Sequence, residues 1–422
     1  MIQFLHAADI HLDSPLRGLE RYEGAPVDEF RGATRRALEN LTALAIDRKV
    51  DFVLIAGDLY DGDWKDHNTG LFFVKQMSRL REAEIPVVVV SGNHDAASKI
   101  TKSLRLPDNV EVLGHSQAST AQSKTLDELG VAVHGRSFAK AAEVENLALQ
   151  YPDKRAGMFN IGLLHTCLTG ADGHERYAPC SIDDLQSKGY DYWALGHVHQ
   201  RQTFGEDPYI VFPGNVQGRH IRETGQKGCY LVSVGDNDAV QLEFQRLDVV
   251  RWSTCDVAVD GLQLADDLLN QFAAQLRQLT QQQELPLAVR VRIVGRSGMH
   301  EQLRSNPEHW KAQFRSVGVD ATGGMAWVEK VEIRTSPQQA TDTAALAAGP
   351  LGELIQYFQE LQLDDQELLS LARELDDLKA KLPAELQIGD DALRFDDPVW
   401  LRQVLGDVEP LLLARLREET PS

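Results

Sequence analysis

Asp9 and His11, Asp58, Asn93 and His94, His165, and His197 and His199 recur along the first half of this chain, each directly after a short apolar run. A set of carboxylate, amide and imidazole donors suits Mn, Fe or Zn better than Mg or Ca alone. Two such ions about 3.5–4 Å apart clamp the attacking and leaving oxygens of an in-line phosphoryl displacement, and they lower the pKa of a bound water to roughly 7. The organising stretch is Gly92-Asn93-His94-Asp95, after the run Ile85 to Ser91. It offers an amide oxygen for a metal, an imidazole, and in Asp95 a carboxylate able to orient that imidazole.

Taken singly, the other segments have plain alternatives. Asp9-Ile10-His11 by itself reads more readily as a capping aspartate and a surface histidine, Gly57-Asp58 as an ordinary turn, and His165 as a hydrogen-bonded structural histidine. Taken together they are harder to dismiss. In an extended segment residues i and i+2 point to one side, so Asp9/His11 and His197/His199 can each share an ion. Asp58 stands where one carboxylate can bridge two ions. Five strand ends carrying ligands converge at one edge if the strands form an open sheet.

The elements that must position these residues are legible as apolar runs and helical spacings. Strands are expected at Ile2–Ala8, Phe52–Ala56, around Val87–Val90, Val110–Leu113, Val131–Val133, Phe159–Leu164 and Tyr190–Leu195, with helices over Glu29–Lys49 and around Leu71–Leu80. Helix, strand and polar tip alternate as in a layered α/β domain. Gly228–Val234 and Ala239–Leu247 are expected to complete that domain, which we place at residues 1–250. A smaller α+β unit follows at 251–336, with strands Trp252–Val259, Leu287–Val294 and Trp327–Arg334, a helix over Leu262–Gln282 and shorter helical segments in Met299–Ser316. Residues 337–349 read as a linker and 350–422 as a helical tail.

Composition narrows the classes. A chain of 422 residues, 43% of them hydrophobic, can bury a full core. No apolar run approaches membrane-spanning length, and the four cysteines form no CxxC pair, which points to reduced buried thiols in a soluble cytoplasmic protein. The formal net charge of −20 argues against a surface that coats nucleic acid. Thr341 to Ser422 hold eighteen acidic against seven basic residues, net −11, so the tail is a poor DNA binder. Phosphate contacts therefore fall to local clusters, Arg219, His220 and Arg222 or Lys99, Lys102 and Arg105, although solvated loops explain both as well. Arg290, Arg292 and Arg296 are a third group, equally readable as a strand's solvent face.

The ordered set DxH, GDxxD, GNHD, H and GHxH resembles the calcineurin-like metallophosphoesterases. More narrowly, His6 to Leu16 and Gly57 to Gly62 resemble the bacterial YhaO branch of the SbcD-type DNA-repair exonucleases, with Asp13 in place of a glycine common in SbcD proper. The resemblance implies an α/β (α+β) fold: a layered metallophosphoesterase β-sandwich flanked by helices, with a small α+β cap and a helical C-terminal tail. It implies Asp9, His11, Asp58 and His199 on one divalent ion, Mn²⁺ or else Fe or Zn. The second ion takes Asp58 as bridge with Asn93, His165 and His197. His94 is implied as a catalytic group beside the ions, with Asp61 as its supporting carboxylate. DNA is the implied substrate, cleaved as a 3'-5' double-strand exonuclease and single-strand endonuclease. An SMC-like coiled-coil ATPase and a homodimer are the implied partners, and no Walker A motif occurs in this chain. Two other readings stay open: a metallophosphoesterase acting on a nucleotide, lipid pyrophosphate or phosphoprotein, and a non-catalytic DNA-end sensor.

Overall fold

The computed structural model describes residues 1–14, 16, 32–61, 67–97, 105–168, 177–205, 207–338, 350–381 and 393–418. Lys99, Lys102 and most of the expected linker lie outside them. The chain divides into two compact units: Met1–Cys255 with Gln275–Arg290 and Gly318–Lys330, and Asp256–Ala274 with Val291–Val317 and Val331–Ser422.

In the first unit the order is β1 (Ile2–Ala7), α1 (Ala33–Arg48), β2 (Phe52–Ala56), α2 (His67–Glu82), β3 (Val87–Val90), α3 (Asn93–Ala97) and β4 (Val110–Val112). Then come β5 (Ser119–Thr120), α4 (Lys124–Leu129), β6 (Val131–Gly135), β7 (Phe159–His165), α5 (Ile182–Ser187) and β8 (Tyr192–Gly196). The strands β9 (Gln202–Phe204), β10 (Tyr209–Phe212), β11 (Gly228–Val234) and β12 (Val240–Arg246) follow.

These strands form two stacked six-stranded sheets, β12-β11-β1-β2-β3-β4 and β5-β6-β7-β8-β10-β9. The fold is thus a layered α/β sandwich, but the ligand-bearing strand ends do not line one open sheet. Asp9, Asp58 and Asn93 follow β1, β2 and β3 of the first sheet, whereas His165, His197 and His199 end or follow β7 and β8 of the second. The physical reason is burial on both faces. Phe4, Phe52, Leu54, Val88 and Val90 of the first sheet pack on Val133, Ile161, Leu163, Tyr192 and Ala194 of the second. Phe4 stacks on Phe52 at 4.7 Å and meets Tyr192 edge-on at 5.5 Å.

The alternate residues Leu5, Val53, Ile55, Val87 and Val89 face Leu38, Leu41, Phe73, Met77 and Leu80 of α1 and α2. Both faces being apolar, these strands read as continuous hydrophobic runs rather than alternating ones. Each fully buried side chain of this kind contributes roughly 1.5–3 kcal/mol. That core holds the polar strand tips rigid. β9 and β10 are not apparent from the sequence, and the first is too short and exposed to leave a pattern.

Beyond β12 lie β13 (Arg251–Ala258), α6 (Ala265–Gln283), β14 (Leu287–Ser297), α7 (His300–Ser305), α8 (Pro307–Thr322) and β15 (Ala326–Pro337). The three strands form a sheet in chain order. Two of its arginines are paired: Arg290 makes a two-pronged bond to Glu329 at 3.0 and 2.9 Å, and Arg292 does the same to Asp256 at 2.5 and 2.8 Å, while the Arg296 backbone N–H donates to Asp260. The tail holds α9 (Pro350–Leu363), α10 (Asp365–Ala372), α11 (Asp376–Lys381) and α12 (Pro398–Glu418). Phe358, Leu361, Leu368, Leu401 and Leu405 pack together there. No helix among the described residues is long and apolar enough to cross a membrane.

Candidate dimetal site

β1, β2 and β8 end in tight turns, whereas His165 closes β7 itself and Asn93 opens α3. Asp9, His11, Asp58 and His197 all lie at positive φ (51°, 45°, 51° and 99°). The extended i, i+2 geometry expected for Asp9/His11 and His197/His199 is therefore not what brings them together. Backbone bonds between the first two tips do so instead, Asp9 N–H to Gly57 O at 3.1 Å and His11 N–H to Asp58 O at 3.0 Å. Left-handed conformations of non-glycine residues cost free energy, and they gather where function requires them. Glycine is needed where the tips crowd: a Cβ at Gly92 would collide with the Asp58 carboxylate and the His165 ring.

Three trios have ligand atoms within 4.8 Å of one another: Asp9, His11 and His199; His11, Asp58 and His94; and Asp9, Asp58 and His165. His11 Nε2 lies 3.2 Å from His199 Nε2 and 3.8 Å from Asp58 Oδ2. His165 Nε2 lies 3.0 Å from Asn93 Oδ1 and 3.5 Å from Asp58 Oδ2. The His197 ring meets the His165 ring edge-on at 5.2 Å, and the His197 backbone N–H donates to both Asp9 oxygens at 3.1 and 3.0 Å. All seven expected ligands thus reach one region of the first unit.

Hydrogen bonding decides what these atoms can bind. His165 Nδ1 faces Ala56 O at 2.9 Å, and a carbonyl only accepts, so Nδ1 carries a proton and Nε2 is the atom turned to Asn93 and Asp58. His199 Nδ1 likewise faces Glu223 Oε1 at 2.6 Å, leaving its Nε2 a lone pair. Burial and the nearby Arg219 charge push His11 down to about 3, so it is neutral, and its Nδ1 has no hydrogen-bond partner. Nitrogen and oxygen donor atoms therefore converge on one region, and carboxylate or carbonyl bonds on the far nitrogen are how metal-binding histidines are held. The donor set fits divalent ions.

Burial disfavours the charged forms of both Asp58 and His165, yet their mutual attraction holds the Asp58 carboxyl low and the His165 imidazole high. Burial also raises Asp9, against the pull of His199 and His165.

His94 stands at the rim with its Nδ1 2.9 Å from Asp61 Oδ1. Burial would lower its pKa, but the bond to Asp61 and the charges of Asp58 and Asp61 raise it. Asp95 does not orient this imidazole. It is buried beneath the turns and accepts N–H bonds from Leu59, Tyr60 and Gly92 at 3.1, 2.9 and 3.1 Å, fastening the second and third tips together. The orienting carboxylate is Asp61, which also accepts from Ser14 Oγ at 2.7 Å.

The basic cluster differs from expectation. Arg219 is 9% exposed and lies among Ser14, Asp61 and Glu223 rather than on a solvated loop. His220 Nε2 is 3.3 Å from Glu223 Oε1, while Arg222 and Arg105 are exposed. Glu223 is the residue that sequence reasoning missed. It also accepts from Asn215 Nδ2 at 2.8 Å and Arg219 N–H at 2.7 Å. Burial would raise its pKa, but the His199 bond and Arg219 hold it well below the usual carboxylate range. Its only signal in the sequence is an acidic residue following a basic run.

Residues 2–201 match the family model described as calcineurin-like phosphoesterase, and residues 252–336 match that of the metallophosphoesterase YhaO middle domain. The "Uncharacterized metallophosphoesterase YhaO" of Bacillus subtilis is 38% identical over 262 residues, 61% of this chain and 63% of that protein. The "DNA double-strand break repair protein Mre11" of Sulfurisphaera tokodaii is 30% identical over 215 residues, 49% of this chain and 51% of that one. Its namesake in Saccharolobus solfataricus is 24% identical over 290 residues, 64% and 71% respectively. The alignments to the first two thus span less than two thirds of those relatives. Residues 2–201, which carry the candidate dimetal cluster, are thus similar to the calcineurin-like phosphoesterases over just under half of the chain.

Proposed function

We propose that this chain is a dinuclear-metal phosphodiesterase that hydrolyses DNA, acting as a 3'-5' exonuclease on duplexes and an endonuclease on single strands during double-strand break repair. The observation that carries the hydrolytic part is the His94–Asp61 pair standing beside the clustered candidate ligands. Asp9, His11, Asp58 and His199 would hold one ion, and Asp58, Asn93, His165 and His197 the other. Asp58 suits the bridge: its Oδ2 lies 3.8 and 3.5 Å from the Nε2 atoms of His11 and His165, while its Oδ1 accepts from the His94 backbone N–H at 3.0 Å. When bound, such ions make hydroxide available near neutral pH and take up charge on phosphoryl oxygens.

His94 has its Nδ1 on Asp61, which leaves Nε2 to give a proton or hydrogen bond to the leaving oxygen. Asp61 keeps the imidazole protonated to higher pH than an isolated histidine would be. Ala56 O and Glu223 keep His165 and His199 in single tautomers.

DNA as substrate is supported by the names of the two archaeal relatives and by the YhaO-like first motif. The C-terminal helices expose Leu363, Leu371, Leu375, Leu378 and Val399, which supports a partner-binding role for the tail. We assign that partner as an SMC-like coiled-coil ATPase, and the working unit as a homodimer. The net charge of −20 favours the competing reading, a hydrolase of nucleotides or other small phosphoesters. End-labelled duplex and nucleotide substrates offered side to side with Mn²⁺ separate the two. Shortening of the duplex supports DNA, and turnover of the nucleotide alone refutes it.

A further inference from the structure

Among the described residues, Arg219 is the one strongly basic side chain within 4 Å of both supporting carboxylates of the site. Its Nη1 donates to Ser14 Oγ at 3.2 Å and lies 3.7 Å from Asp61 Oδ2, and Ser14 Oγ in turn donates to Asp61. Its Nη2 lies 3.7 Å from Glu223 Oε1, the oxygen bonded to His199, and its own N–H donates to Glu223 Oε2. The side chain is 11% exposed, and its Nε has no hydrogen-bond partner. A guanidinium so enclosed presents little surface to a phosphate backbone, whereas its planar fork suits holding two carboxylates apart at a fixed spacing.

We infer that Arg219 is a positioning residue: with Ser14 it braces Asp61 against His94 and Glu223 against His199, setting the proton donor and one metal locus as a unit. This moves Arg219 from the substrate-binding set, where its sequence neighbourhood puts it, into the support of the site. The inference rests on the proposed hydrolysis for its kinetic readout but not for its binding readout. Lysine keeps the charge of Arg219 but has a single tip, which cannot span both carboxylates, so Arg219→Lys is the informative change.

The experiment uses the full chain, stripped of metal by chelator, and Arg219→Lys and Ser14→Ala alongside the wild type. Three quantities are read: the Mn²⁺ binding isotherm, kcat and KM for bis-p-nitrophenyl phosphate, and the salt dependence of duplex DNA binding. Arg219→Lys is expected to weaken Mn²⁺ binding at one locus by about tenfold or more, the size typical when a partner of a metal ligand is disturbed. Its kcat should fall with KM changed less than about twofold, because a group acting through others alters the reaction rather than ground-state binding. Ser14→Ala should lower kcat and leave the isotherm unchanged, since the hydroxyl reaches Asp61 and not Glu223.

A substrate-gripping Arg219 gives the opposite pattern: wild-type kcat and Mn²⁺ affinity, weaker DNA binding, and a salt slope reduced by about one. That result overturns the inference, as does a Ser14→Ala enzyme with wild-type kcat if Arg219→Lys does not fold. If the wild type cleaves no diester, the proposed function fails and the Mn²⁺ isotherms alone judge the brace.

Discussion

Replacing Glu223 by glutamine should turn the His199 ring's proton around. Glu223 offers Oε1 to His199 Nδ1 at 2.6 Å and Oε2 to two donors, Asn215 Nδ2 at 2.8 Å and Arg219 N–H at 2.7 Å. A glutamine has one oxygen for these three donors. It satisfies more of them by placing that oxygen at the Oε2 position, which sets its NH₂ against His199 Nδ1. That nitrogen must then accept, so the ring proton moves to Nε2, the atom 3.2 Å from His11 Nε2 and 4.0 Å from Asp9 Oδ1. A proton there occupies the direction in which an ion would be bound. Loss of a carboxylate behind a metal-binding histidine typically costs 10–100-fold in affinity, about 1.4–2.8 kcal/mol. Calorimetric titration of metal-free Glu223→Gln with Mn²⁺ should show one of two loci weakened by that amount and the other close to wild type. Two wild-type loci in a cooperatively folded Glu223→Gln chain would refute the tautomer argument.

Three other expectations follow from the same geometry. Asp61 raises the His94 pKa, and a general acid is lost as pH rises through its pKa, so Asp61→Asn should move the basic limb of the pH–rate profile to lower pH and cut kcat by about 10²–10⁴. His6 is buried and neutral, with Nδ1 3.0 Å from Tyr192 Oη and Nε2 3.1 Å from Leu195 O, and burial lowers its pKa to about 3. The unfolded chain takes up the proton near pH 6.5, so stability is complete above that pH and falls as pH drops toward about 3. The loss is about 2 kcal/mol by pH 5, and His6→Gln should flatten this part of a urea-midpoint profile. Gly92→Ala drives a methyl group into Asp58 and His165, which should destabilise the fold by about 1–3 kcal/mol and weaken Mn²⁺ binding in a calorimetric titration.

Much of this architecture is legible in the chain because its strands are apolar on both faces. Phe52–Ala56 and Val87–Val90 announce themselves by composition, and the polar residue after each marks a strand tip. The way the tips approach one another is not legible. Asp9, His11, Asp58 and His197 adopt positive φ, which a two-residue periodicity does not reveal, and the ligands divide between two sheets because packing settles sheet membership. Asp95 looked like the partner of His94 because it follows it in sequence. The helix that begins at Asn93 turns its carboxylate to three backbone N–H groups instead, and Asp61, 33 positions earlier, takes the imidazole. Glu223 lies 24 positions from His199, and only the fold joins them. Arg219 reads as a phosphate-gripping or solvated cation, since a run of basic residues carries no sign of the two carboxylates, Asp61 and Glu223, that lie against it.

The most direct test of the account is incubation of the purified chain with Mn²⁺ and end-labelled linear duplex DNA, with His94→Ala in parallel and bis-p-nitrophenyl phosphate as a small diester. The account predicts that the wild type shortens the DNA and cleaves the small diester, that chelation abolishes both, and that His94→Ala binds Mn²⁺ but loses most of the turnover. A wild type that binds Mn²⁺ yet cleaves neither substrate, or a His94→Ala chain that cleaves both at the wild-type rate, would contradict it.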